Sequence, residues 1–182
     1  MRLVKDGRVI EDRFVRVLDD APVADGVPVA DGVPVLLPAA RFLADSTELS
    51  LRSAPTGVIW ANNRPVAELA PYLDRLALVA LVFPNFRDGR AYSQARLLRE
   101  RYGFRGELRA TGEVLRDQFL FLVRAGFDAL EVKKERDAQA YADAVRRYDV
   151  FYQPAADGRP SAFRRRLNET PSLQPQAVIS NA

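Results

Sequence analysis

The sequence predicts an α/β fold of about four consecutive parallel β-α units, preceded by a short N-terminal β-hairpin region. Short apolar runs recur along the chain, a stripe of apolar residues at helical spacing follows each of them, and an Asp-Gly turn lies near the N-terminus. Strands that alternate with helices favour a parallel sheet with right-handed crossovers. Four units suit either half of a TIM-type barrel or a small doubly wound sheet, and the sequence does not decide between them.

The N-terminal part, residues 1–45, is rich in predicted strands. Asp6-Gly7 separates two short apolar segments and is a hairpin turn signal. Further strands are predicted at 14–18 and 35–37, and Pro38 is placed to begin a short helix. A tandem repeat, ADGVPV at 24–29 and again at 30–35, is too short for a repeat architecture and predicts an extended connector.

The β-α repeats occupy residues 57–148. The predicted strands are 58–61, 76–83, 107–110 and 127–132. The helical stripes that follow them begin at Val66, Ala91, Leu115 and Ala138. Residues 1–152 are therefore predicted to form a single domain, and the proline-containing segment 153–182 is predicted to be an irregular tail.

Composition excludes several kinds of site. The chain of 182 residues contains no cysteine and no histidine, so thiolate nucleophiles, a Ser-His-Asp triad and the usual zinc ligands are absent from it. No metal site and no bound cofactor are expected. No apolar run approaches the roughly 20 residues of a membrane span, and the N-terminus lacks the apolar stretch of a secretory signal, so a cytoplasmic location is expected.

Candidate ligand-binding residues lie near or after the carboxyl ends of the predicted strands, where parallel α/β folds bind their ligands. They are Asn85, Arg87, Asp88, Arg90, Arg109, Thr111, Glu113 and Asp117. Three of them, Arg87, Arg90 and Arg109, would converge on a small anion, because guanidinium groups match phosphate, sulfate and carboxylate. The structural alternative is that Asp88 caps the next helix and that Arg90 pairs with Asp88 or Asp117.

The remaining candidates also have two interpretations. Thr111 with Gly112 would bind a phosphate, while Glu113 and Asp117, four residues apart, would do acid–base work on one helical face. The structural alternative for this stretch is an ordinary helix-start pattern. Tyr92 would stack on a flavin or a base, although packing is favoured. The run Arg164-Arg165-Arg166 favours a solvated or partner-facing segment over nucleic-acid binding, because the net charge is only +3.

Residues 83–132 carry a resemblance to a known family. Their sequence is FPNFRDGRAYSQARLLRERYGFRGELRATGEVLRDQFLFLVRAGFDALEV, and the most specific parts are DGR at 88–90, ARLLRER at 95–101 and GELRATGEVLRDQ at 106–118. This stretch resembles an uncharacterised bacterial family of unknown function that is encoded beside sulfite reductase and described as involved in sulfite reduction. The resemblance extends to the N-terminal hairpin and covers most of residues 1–152. Leu130 departs from it, since phenylalanine is expected there.

The resemblance implies a pathway, sulfur assimilation, and not a reaction. One hypothesis is an accessory protein that acts as a partner of sulfite reductase. The second is an enzyme or sensor that binds a small oxyanion or nucleotide at the arginine-lined strand ends, and the third is a flavin-dependent partner oxidoreductase. Whether the chain is an enzyme stays open at this point. A homodimer is a reasonable expectation, because a half-barrel leaves sheet edges that invite pairing.

Overall fold

A computed structural model describes residues 2–17, 32–132 and 136–168. Most of the ADGVPV repeat, Lys133 and Lys134 of the predicted strand-end loops, and the tail beyond residue 168 lie outside these ranges. The mixed α/β class is confirmed, and one curled sheet with helices forms the body. None of the helices in the described ranges combines the length and the apolar composition that crossing a lipid bilayer requires.

One sheet of eight strands organises the described chain, in the order β2-β1-β8-β7-β6-β5-β4-β3. The strands are β1 Arg2–Lys5, β2 Arg8–Ile10, β3 Val15–Arg16, β4 Val35–Pro38, β5 Thr56–Trp60, β6 Leu76–Phe83, β7 Glu107–Gly112 and β8 Ala129–Val132. From β3 to β8 neighbouring strands are parallel, while β1 pairs antiparallel with both β8 and β2. The parallel strands follow chain order without reversal, so the sheet is a half-barrel and has no topological switch point.

The N-terminal hairpin shows why Asp6-Gly7 is a turn. Both residues have positive φ, 52° for Asp6 and 72° for Gly7, as the tight two-residue hairpin turn requires. A Cβ atom on Gly7 would also lie 2.8 Å from Cβ of Ala142. The predicted hairpin is therefore present, and it adds two antiparallel strands to the β8 edge of the parallel sheet.

The helices lie between and after the strands. They are α1 Ala39–Ala44, α2 Ser46–Leu49, α3 Arg90–Arg96, α4 Phe119–Arg124, α5 Arg136–Arg146 and α6 Ala162–Asn168, together with 3-10 helices at Val66–Tyr72 and Arg116–Gln118 and a π-helical turn at Leu97–Arg101. The main core forms between one face of the sheet and these helices, and it contains alternate residues of strands β4 to β8, such as Val79 and Leu81, or Leu108 and Ala110. A smaller cluster of Leu36, Leu78 and Ala80 lies on the other face.

The predicted arrangement of four β-α units differs from the structure in two ways. The parallel run already begins at β3, so it contains six strands. The first connection, predicted as an ordinary helix, is the 3-10 helix Val66–Tyr72, and Pro71 inside it lacks the backbone N–H that an α-helix would use.

The tail from residue 153, predicted to be irregular, contains α6. Ser161 precedes this helix, and its Oγ accepts a hydrogen bond from the backbone N–H of Arg164 at 3.4 Å. This is the pattern of an N-cap serine, a start signal that the surrounding prolines obscured in the sequence.

Candidate functional site

Strand β7 carries charged side chains on the sheet face opposite the helices. Leu108 and Ala110 belong to the main core, so the alternating residues Glu107, Arg109 and Thr111 lie on the other face. We call this the inner face, because contacts across it show that it is the concave one. Its charged residues form a network that we call the inner-face charge cluster, defined as Lys5, Asp12, Arg16, Glu107, Arg109 and Glu131.

Arg109 is the centre of this cluster. Its side chain is only 1% exposed. The guanidinium donates to both carboxylate oxygens of Asp12, at 2.6 and 3.1 Å, and to Oε1 of Glu107 at 3.0 and 3.1 Å. Burial alone would lower the pKa of Arg109, but the hydrogen bonds and charges of Asp12 and Glu107 outweigh it and raise that pKa above its ordinary value. Arg109 therefore stays charged inside the sheet.

Glu131 of β8 is the most buried carboxylate of the cluster. Its side chain is 5% exposed, and both oxygens are occupied: Oε1 accepts from Nη2 of Arg16 at 2.6 Å, and Oε2 accepts from Oγ1 of Thr111 at 2.5 Å. Nη1 of Arg109 lies 3.6 Å from Oε1. Lys5 completes the network through Glu107, at 3.1 Å. Three cations thus face three anions, and every charge of the cluster has an opposite partner.

A cavity of about 420 Å³ opens beside the cluster, and we call it the seam pocket because it lies between β3 and the β8 end of the parallel sheet. Its lining residues are Arg2, Leu3, Ile10, Glu11, Asp12, Arg16 and Glu131. Arg2 pairs in register with Val132, the last residue of β8. The pocket is therefore at the carboxyl end of β8, the edge at which parallel α/β folds bind ligands.

The predicted residues of the loop after β6 bond mainly to each other. Asp88 accepts hydrogen bonds from the Arg90 side chain at 2.6 and 2.9 Å, so Asp88 is the one of the two predicted partners that Arg90 binds. Arg90 holds the pKa of the Asp88 carboxyl well below its usual range, against a smaller opposing effect of desolvation. The side-chain amide of Asn62 also lowers the pKa of Asp88. Oδ1 of Asn85 accepts from the backbone N–H of Arg87 at 3.0 Å. This loop is a compact, self-bonded surface turn.

The predicted anion clamp is not brought together. Arg90 bonds to Asp88, Arg87 stacks over the ring of Phe86 at 5.4 Å, and Arg109 binds Asp12 on the inner face. The reason is that Arg109 points to the inner face of β7 and is held there by Asp12, while β7 continues to Gly112, two residues beyond the predicted end. As ligand-binding residues these positions stay predictions.

The candidates that follow Arg109 are also separated. Thr111 is buried and donates to Glu131, whereas Glu113 and Asp117 are exposed on the loop and 3-10 helix that follow β7. The backbone N–H of Glu113 donates to the carbonyl of Phe83 at 2.8 Å, which fixes the end of β7 against β6. Tyr92 packs its ring edge-on against Phe83, with centroids 5.3 Å apart, so the structure gives it the packing role.

Sequence reasoning missed two members of the charge cluster, Asp12 and Arg16. Asp12 lies 97 positions from its partner Arg109, and Arg16 lies 115 positions from its partner Glu131, so both precede the repeats that supplied the candidates. A local signal existed in β7, where Glu107, Arg109 and Thr111 alternate with the apolar Leu108 and Ala110. Polar residues at every second position of a central strand indicate an inner face that buries polar groups.

The segment 147–168 is a second candidate for function, and we call it the C-terminal contact surface. Arg124 of α4 holds this segment through three contacts. Its guanidinium lies 3.8 Å from the ring centroid of Phe151, forms an ion pair with Asp157 at 3.0 Å and donates a hydrogen bond to the carbonyl of Gln153 at 2.6 Å. The segment then closes on itself, because the N–H of Ala162 donates to the carbonyl of Phe151 at 2.7 Å.

The C-terminal contact surface exposes apolar side chains that a folded domain ordinarily buries. They are Tyr148, Val150, Tyr152, Phe163 and Leu167. Tyr152 is 88% exposed and Phe163 is 69% exposed. Isolated exposed apolar residues are ordinary, but five within one anchored segment make it a candidate interaction site.

Comparison with known proteins gives the family. No curated protein matches the chain. In the described ranges, no group of three or more acidic residues is arranged to hold a metal ion. Residues 57–163, more than half of the chain, match a bacterial protein family of unknown function, DUF934. This stretch contains all of β5 except Thr56, together with β6 to β8 and most of the C-terminal contact surface, and the chain therefore belongs to the DUF934 family of bacterial proteins of unknown function.

Proposed function

We propose that the protein is a non-catalytic accessory protein that acts by contact with a partner protein through its C-terminal contact surface. The observation that carries this proposal is the exposure of five large apolar side chains on a segment that the fold holds in place. Burial of such side chains against a partner supplies the main driving force of protein association.

The composition of the surface supports protein binding. Aromatic residues and arginine are enriched in the cores of protein interfaces, and lysine and glutamate are depleted there. Residues 147–168 contain four aromatic residues and five arginines but neither lysine nor glutamate. Because Arg124 and the internal hydrogen bonds already order the segment, little conformational entropy is lost when a partner binds.

The charge of the surface specifies the chemistry of the partner. The five arginines stand against two aspartates, and one of these, Asp157, is already bound by Arg124 and lies 3.7 Å from Arg159. The surface therefore suits an acidic protein face that has apolar residues at its centre. The resemblance of residues 83–132 suggests sulfite reductase as this partner. The proposed role is that of an accessory subunit in sulfite reduction.

The inner-face charge cluster supports the non-catalytic part of the proposal. Catalytic acids, bases and anion clamps need side chains that can turn to a substrate. The Arg109 and Glu131 side chains are instead occupied by one another, by Asp12 and by Thr111. The two most buried members of the cluster, Arg109 and Glu131, act as a structural closure of the curled sheet.

The test is a binding measurement between the full chain and the sulfite reductase of its own organism. The double substitution Tyr152→Ala with Phe163→Ala removes the two most exposed aromatic side chains of the surface and should weaken binding roughly tenfold or more. Leu51→Ala is the matched control, because Leu51 is an 85% exposed apolar side chain outside this surface.

A second pair of variants tests the charge. Arg164→Glu with Arg165→Glu should weaken binding and reduce its dependence on salt, while Arg105→Glu, an exposed arginine elsewhere, should have little effect. Full binding by the Tyr152 and Phe163 double variant would refute the contact surface. If the unaltered chain fails to bind the reductase, that enzyme is not the partner.

A further inference from the structure

The seam pocket carries a second, independent inference. Its volume of about 420 Å³ is within the range of small-molecule sites, and it opens at the carboxyl end of β8. It is lined by two arginines, Arg2 and Arg16, by three carboxylates and by the apolar Leu3 and Ile10. None of these residues belongs to the C-terminal contact surface.

Arg16 is the member of the charge cluster that can reach a ligand. Its side chain is 39% exposed, although it forms an ion pair with the buried Glu131. If Arg16 turns to a ligand, Glu131 keeps its hydrogen bond from Thr111 and the nearby charge of Arg109. The buried carboxylate is therefore compensated in both positions of Arg16, which removes the main cost of breaking the pair.

Two further lining residues set the second requirement on the ligand. Glu11 and Asp12 both line the pocket, and carboxylates accept hydrogen bonds only from donors such as ammonium or hydroxyl groups. Three carboxylates disfavour an ion that carries negative charge alone, whereas a guanidinium favours a carboxylate. A ligand that fits must therefore carry a carboxylate and a donor group a few ångströms apart.

We propose that the seam pocket binds a small amino acid or hydroxy acid, with its carboxylate on Arg16 and its amino or hydroxyl group on Glu11 and Asp12. Leu3 and Ile10 then contact a short aliphatic part of the ligand.

The first test is thermal unfolding of the full chain with a panel of free amino acids, lactate and malate, and with acetate and sulfate as anions without donor groups. At least one amino or hydroxy acid should raise Tm by a few degrees, and more than acetate or sulfate does. The increase should vanish in Arg16→Gln and in Glu11→Gln and persist in Arg8→Gln, an exposed arginine on β2 that does not line the pocket.

Glu11→Gln keeps the test valid if Arg16→Gln unfolds, because Glu11 is exposed and is not part of the charge cluster. The absence of any increase in Tm across the panel, or an increase that survives Glu11→Gln, would overturn the proposal.

A second readout is the NMR signal of arginine Nε. The ligand should shift the Arg16 signal and leave that of Arg99, whose Nε donates to the carbonyl of Gly126, unchanged. A shift of the Arg99 signal without a shift of the Arg16 signal would contradict the site.

Discussion

Arg16 and Glu131 form an ion pair at 2.6 Å although four strands separate their own strands in the sheet. In a flat sheet, five spacings of about 4.8 Å would hold β3 and β8 roughly 24 Å apart, farther than the two side chains can reach. The pair therefore exists only because the sheet curls, and it defines the inner face as the concave one. Arg109 and Thr111 lie beneath it and hold the same carboxylate.

Removal of the Glu131 carboxylate should destabilise the fold far more than removal of Arg16. Glu131→Ala leaves Thr111 without its acceptor and removes the buried charge that Arg16 and Arg109 face, which should cost about 3 kcal/mol in the free energy of unfolding. Arg16→Ala should cost about 1 kcal/mol, because Arg16 is partly exposed and Glu131 keeps its other partners. Urea unfolding measures both, with Arg8→Ala as the control, and equal losses would contradict this account of the cluster.

A close contact at the end of β7 explains why Gly112 is a glycine. Its φ is +96°, and a Cβ atom would lie 2.3 Å from the carbonyl oxygen of Phe83. Gly103 has a comparable φ of +65° but open space around it. Gly103→Ala should therefore lower the free energy of unfolding only by the strain of a positive φ, about 1 kcal/mol, while Gly112→Ala should lower it clearly more. Chemical denaturation of the two variants separates backbone strain from steric overlap, and similar losses would show that the contact relaxes.

The sequence predicted the parts of the fold that local patterns determine. The hairpin follows from Asp6-Gly7, and the long buried strand follows from the continuous apolar run 76–83. The pairing of Asp88 with Arg90 is equally local, because the two residues are two positions apart. In each case the residues that determine the feature are adjacent in the chain.

The candidate sites depend on contacts that no local pattern contains. Asp12 meets Arg109 because the antiparallel hairpin adds to β8, next to β7, and that addition is a consequence of tertiary packing. The C-terminal contact surface was missed for a different reason. Prolines at 154 and 160 indicated an irregular tail, whereas Arg124, on a helix far from it in sequence, holds the segment in place.

Tyr141 should make the stability of the fold depend on alkaline pH. Burial, and then the charges of Asp6 and Asp128, raise the pKa of Tyr141 to about 12, although Arg159 acts in the opposite direction. The folded protein therefore prefers the neutral phenol. The stability it contributes is complete below the ordinary tyrosine pKa of about 10 and is lost as the pH rises towards 12, by about 2 kcal/mol.

Urea unfolding at about pH 9 and about pH 11 tests this, and Tyr141→Phe should reduce the loss of stability between the two conditions. Tyr92 is the matched comparison, since burial also raises its pKa to about 12, and Tyr92→Phe should reduce the loss by a similar amount. If neither variant changes the pH dependence of stability, the pKa values of the two phenols are not raised in the folded protein.

Arg124 should control the C-terminal contact surface without belonging to it. Arg124→Ala removes the stacking on Phe151, the ion pair with Asp157 and the hydrogen bond to Gln153 in one step. Hydrogen exchange of the backbone in 151–165 should accelerate, because its remaining links to α4 are few, while exchange in β6 should not change. Arg124→Lys keeps the charge but loses the planar fork, so it should restore only part of the protection.

The same variant connects the anchor to the proposed function. If an ordered surface is what a partner recognises, Arg124→Ala should weaken partner binding even though Tyr152 and Phe163 are intact, because the ordering entropy must then be lost on binding. Surface plasmon resonance of the variant beside Leu51→Ala measures the difference. Faster exchange together with unchanged affinity would show that the exposed side chains act without the anchor, and that the partner itself orders the segment.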